Sequence, residues 1–91
     1  MITFYQLEKR INDLTHSIVP QDVHFTTIHN ARLEVLKWVK NENEIRPECE
    51  ILNRIDRYKE EMLAFPDESN LWYKALKVRI EELNNVISPE D

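Results

Sequence analysis

Apolar side chains recur along the chain at alternating steps of three and four, the spacing that places them on one face of a helix. The first such run is Phe4, Leu7, Ile11, Leu14 and Ile18, which predicts a helix from about Thr3 to Ser17. Thr3 followed by Gln6 reads as a capping box that satisfies free backbone donors at its start. The period fails over residues 18–25, where Pro20 disfavours helical geometry at Val19. Val19, Val23 and Phe25 are apolar enough for this segment to be expected as a fitted strap packed on the bundle.

A second helix is expected from Thr26 or Thr27 to about Lys40, with Ile28, Ala31, Val35, Trp38 and Val39 as its stripe. Leu33 and Leu36 widen that stripe, so this helix is either central or carries a second contact surface. Asn41 to Glu44 are weak helix formers before Pro47 and should end it, with asparagine replacing glycine at the C-terminus. A kink at Pro47 is the alternative. Pro47 suits the first turn of a third helix, whose stripe is Ile51, Ile55, Tyr58, Met62 and Phe65, flanked by Leu52 and Leu63. Pro66 ends that helix, and Asp67 or Ser69 then caps a fourth, running to about Val86. Its inward residues are Trp72, Ala75, Leu76, Leu83 and Ile87, and the tail from Pro89 to Asp91 is expected to fray. The fold class is therefore all-α: a small antiparallel bundle of three to four helices forming a single domain over residues 1–91.

Composition agrees. At 91 residues, 42% hydrophobic and 32% charged, the chain is of a size and polarity that support one core. Glycine is absent, which removes glycine-rich phosphate loops and most tight hairpins that need positive φ. The net charge of −5 opposes free double-stranded nucleic acid and anionic membrane, and the excess acid lies in residues 42–68. No stretch approaches the roughly 18 uninterrupted apolar residues of a membrane span. The single cysteine, Cys49, has no intramolecular partner, and a cytoplasmic location is the expectation.

Chemistry-bearing residues are sparse. His16, His24 and His29 lack metal-ligand spacing, and Cys49, between Glu48 and Glu50, has no activating histidine tied to it by spacing. Neither metal, cofactor nor catalysis is expected. Arg32 and Arg79 are the anomalies, because both fall among apolar positions of their helices. An unpaired buried guanidinium costs several kcal/mol, so each must reach water, meet an acid such as Glu34, Asp56 or Glu82, or await an external anion. With His29, the two arginines are candidate residues for a small anion or nucleotide.

Tyr5, Leu33, Leu36, Trp38 and Tyr73 are candidate contacts to a protein partner, since aromatic and large apolar side chains anchor most interfaces. The acidic middle segment suits a solvated helix exterior, because Arg46, Arg54, Arg57 and Lys59 interrupt it. These features together point to a non-enzymatic interaction protein of adaptor, inhibitor or immunity type. The alternative is an oligomer that sequesters a small molecule or nucleotide with arginines between its helices.

Overall fold

In the computed structural model, which describes residues 1–89, the chain forms α1 (Phe4–Thr15), α2 (Val23–Val39), α3 (Glu48–Met62) and α4 (Leu71–Ile87). A two-residue hairpin, β1 (Lys40–Asn41) with β2 (Glu44–Ile45), joins α2 to α3. The all-α bundle expected from the apolar period is what forms. The fraying expected from Pro89 to Asp91 falls largely on residues 90 and 91, which lie outside the described residues.

The start of α1 follows the sequence signal closely. Thr3 accepts from the Gln6 backbone N–H at 3.1 Å, and the Gln6 side chain accepts from the Thr3 N–H at 2.9 Å. Leu7 and Leu14 are its buried face. The connector differs from the expected strap. Asp22 caps α2 through the His24 N–H at 2.8 Å, so α2 begins at Val23, inside the segment assigned to the connector. This turns Val23 and Phe25 outward, 77% and 56% exposed, and Ile18 is 99% exposed. An N-cap so soon after Pro20 places Val23 and Phe25 on the solvent side of the first helical turn.

The wide apolar stripe of α2 is explained by its position: it packs on both α1 and α4, with Ala31, Val35, Leu36 and Val39 buried. Its end is neither an asparagine cap nor a kink. Lys40 and Asn41 pair with Ile45 and Glu44, and the two-residue turn between them is made without glycine by Glu42 at φ 59°. A left-handed conformation at a residue with a Cβ costs roughly 1–2 kcal/mol. Pro47 then stands at the N-cap of α3, one position outside the first turn. Glu48 and Glu50 in that turn suit the positive end of the helix dipole.

The cap of α4 is Asn70, accepting from the Trp72 N–H at 2.8 Å, in place of Asp67 or Ser69. Asp67 instead folds the preceding loop, accepting from the Ser69 N–H at 2.9 Å and the Ser69 hydroxyl at 2.7 Å. These bonds from Ser69 hold the Asp67 carboxyl below the usual carboxylate range. Trp72, expected inward, is 62% exposed. The inward apolar face is Ala75, Leu76, Leu83 and Val86, and Leu83 and Val86 join Leu7, Leu14, Val35, Leu36, Val39, Ile51 and Ile55 in one core. Each such leucine, valine or isoleucine contributes about 1.5–3 kcal/mol on full burial.

Two tethers fix the helix directions. Lys40, just beyond α2, lies 5.7 Å from the Phe4 ring at the start of α1, so α1 and α2 are antiparallel. The Ile2 N–H donates to Val86 O at 2.8 Å, which brings the end of α4 to that same end of the bundle. The connectors 16–22 and 63–70 therefore share the opposite end.

Replacing Glu42 by Gly should raise the free energy of unfolding by up to about 1 kcal/mol, measured by urea titration, because the turn then needs no strained residue. The Asp67 bonds contribute stability at neutral pH that is lost as pH falls through its lowered pKa. In Ser69→Ala the carboxyl should titrate closer to the usual range, as followed by NMR.

Candidate functional site

The inward face of α4 carries one acid. Glu82 follows Arg79 by three positions and precedes Val86 by four, which puts it on the buried stripe, and it is 2% exposed. Its carboxylate accepts from Arg10 Nη2 of α1 and from Arg32 Nη1 of α2, both at 2.8 Å and both on Oε1. One oxygen thus ties three helices together. An open groove of about 440 Å³ lies over this cluster, with Gln6, Lys9, Asp13 and Asn85 among its walls.

Arg79 meets a different acid. Its Nη2 donates to Glu34 Oε2 at 3.1 Å, while its Nε is buried without a hydrogen-bond partner among the described residues. The guanidinium carbon lies 5.9 Å from the Tyr58 ring centre. Arg54 is 6.0 Å from the same ring and 4.5 Å from that of Trp38, over which Arg46 also lies at 4.7 Å. Arg46, Trp38, Arg54, Tyr58 and Arg79 therefore form an alternating series of cations and rings running from the hairpin over α2 and α3 to α4. Such contacts contribute about 0.5–1 kcal/mol at exposed sites and more when dry.

The two arginines of the expected ligand trio, Arg32 and Arg79, are engaged by different acids of the chain itself, and His29 is a half-buried residue one turn before Arg32. The five expected partner contacts are likewise dispersed. Leu36 is 1% exposed and belongs to the core, because α2 is covered on both sides, so it is closed to a partner. Leu33 is half-buried against that core, and Trp38 is half-buried beneath its arginines at the hairpin end. Tyr73 is half-buried in the first turn of α4, at the other end of the bundle, while Tyr5 on α1 is 75% exposed.

What the apolar period did not reveal is the end formed by the two longer connectors. Ile18, Val23, Phe25, Leu63 and Trp72 all leave more than half of their surface in water there. Exposed acids accompany them: Asp22, Glu60, Glu61, Asp67 and Glu68, against Lys59 and the half-buried Lys74.

Among the described residues, no group of three histidine, cysteine, aspartate or glutamate side chains could hold a metal ion. Cys49 is exposed, and the His16 ring nitrogen pairs with Asn12 O. No helix is long and apolar enough to cross a membrane. No family model, curated protein or solved structure matches the chain.

Glu82 and its two arginines differ in their access to water: the side chains of Arg10 and Arg32 are 47% and 29% exposed, that of Glu82 only 3%. Replacing both arginines by alanine strands a buried carboxylate and should cost about 3–5 kcal/mol in urea unfolding. Glu82→Gln, which leaves two cations able to turn outward, should cost clearly less.

Proposed function

We propose that this is a non-enzymatic interaction protein that holds a partner protein against the end of the bundle formed by the two long connectors. The observation that carries the reading is the concentration of Ile18, Val23, Phe25, Leu63 and Trp72 in solvent at that end. Large apolar side chains grouped on a small monomer's surface mark contact sites, and tryptophan is among the residues most enriched in binding hot spots. Asp22, Glu60, Glu61, Asp67 and Glu68 surround them, so the partner surface offers apolar anchors flanked by lysine or arginine. The net charge of −5 steers such a partner from a distance. An adaptor, inhibitor or immunity role fits a rigid presenting scaffold of this kind, working in the cytoplasm with its one cysteine reduced.

The reading in which Arg32, Arg79 and His29 sequester a nucleotide is the weaker one, because both arginines already hold carboxylates of the chain.

Affinity capture with the tagged protein, run beside Phe25→Ser and Trp72→Ser, tests the proposal. Both positions are more than half exposed, so both variants should keep the parent's circular dichroism and melting temperature while losing the captured protein. Tyr5→Ser, outside the connector end, should retain it. Capture unchanged in both connector-end variants overturns the assignment of this surface. A dimer in native mass spectrometry that the same variants dissociate would replace the foreign partner by a second copy of the chain.

A further inference from the structure

The cation and ring series at the hairpin end contains one guanidinium that meets rings but no carboxylate. Arg54 has no carboxylate partner among the described residues, whereas Arg10, Arg32, Arg46, Arg57 and Arg79 each have one. Its guanidinium carbon lies over the Trp38 ring at 4.5 Å and 6.0 Å from the Tyr58 ring centre, two contacts that hold it in place. Stacking uses the face of a guanidinium and leaves the N–H donors of its edge free, the arrangement in which arginine takes an oxyanion in two places at once.

Arg54 lines a groove of about 340 Å³ together with Trp38, Arg46, Glu50, Asn53 and Arg57. Three arginines against one glutamate make this a local positive site in the most acidic stretch of a chain whose net charge is −5. Arg46 is anchored through Nε to the Trp38 carbonyl and over the indole ring, and its Nη1 stands 3.5 Å from the half-exposed Glu50. Arg57 holds Glu61 only at 3.8 Å, with its side chain 67% exposed. Exposed pairs of this kind contribute about 0–1 kcal/mol and yield readily to a stronger anion.

We propose that this groove binds the phosphate group of a small phosphorylated molecule, with Arg54 as the preset donor and Arg46, Arg57 and the Asn53 amide closing on it. A terminal phosphoryl group presents three acceptor oxygens to three guanidiniums, where a carboxylate presents two. Two positive groups over one indole repel each other, and a dianion between or beside them relieves that repulsion. The indole ring is already engaged by cations, so recognition is of charge and oxygen geometry. The site is at the hairpin end, away from the connector end assigned to a protein partner, and does not depend on that assignment.

Trp38 is itself the reporter. The chain has two tryptophans, and Trp72→Phe, at an exposed position, leaves Trp38 alone. Titration of this variant with inorganic pyrophosphate, with adenosine diphosphate and with sodium sulfate at matched ionic strength tests the proposal. A saturable change in Trp38 emission with pyrophosphate or the nucleotide, at concentrations where sulfate gives none, is expected, together with a raised melting temperature. Saturation by the nucleotide alone identifies a phosphate ester; equal response to both identifies free diphosphate chemistry. Arg54→Gln should weaken binding at least about tenfold, the effect of losing one charge-assisted pair. Arg57→Gln, at a largely exposed position outside the core, should weaken it too and guards against misfolding of the Arg54 variant. No emission or melting change at millimolar pyrophosphate and nucleotide, or binding as tight in both arginine variants as in the parent, overturns the proposal.

Discussion

A carboxylate sealed inside a small helical bundle has to be answered by cations on its neighbours, and Glu82 is answered by Arg10 and Arg32. This single requirement orders much of the molecule. It sets the rotation of α4 about its axis, since Glu82 must face inward with Leu83 and Val86. It also fixes which face of α1 meets the others, because Arg10 has to arrive with Leu7 and Leu14 already buried. Apolar packing alone tolerates sliding and rotation of helices; a shared oxygen at 2.8 Å from two donors does not.

The two ends of the bundle follow different chemistry for a topological reason. Because α2 and α4 finish at the same end, the two-residue hairpin and the Ile2 to Val86 bond close that end tightly and gather Trp38, Arg46 and Arg54 there. The other end is made of connectors lacking sheet pairing, where helix starts at Asp22 and Asn70 turn Val23 and Trp72 to solvent. Polar side chains hold charge at one end, and apolar side chains wait without cover at the other.

Much of the fold was legible in the sequence. The period of Phe4, Leu7 and Leu14 and the Thr3 and Gln6 pair gave α1 nearly to the residue, because capping and burial there act over a few neighbouring positions. The early start of α2 was also encoded, in Asp22 two positions after Pro20, but apolar Val23 and Phe25 mimic a packed strap. The hairpin was hidden because its turn uses Glu42 where a glycine is the usual sign. Of the site residues, the sequence leaves each anomalous arginine three outcomes, water, an external anion or an internal acid such as Glu34, Asp56 or Glu82; which outcome holds, and which arginine meets which acid, depends on helix rotation, which one strand of sequence does not carry. The ring and cation series was illegible for the same reason, being drawn from α2, the hairpin, α3 and α4.

The packing of α1 has a dynamic consequence. α2, α3 and α4 are joined by the hairpin and by their common core, while α1 rests chiefly on α2 and is attached to α4 by the Ile2 bond and the Arg10 contact. Lifting it away would expose Leu7 and Leu14 and open Glu82 to water, yet leave the α2–α4 packing in place. α1 is thus the helix with the least interhelical packing, and its amides should exchange with solvent through a lower-energy opening than those of the other three.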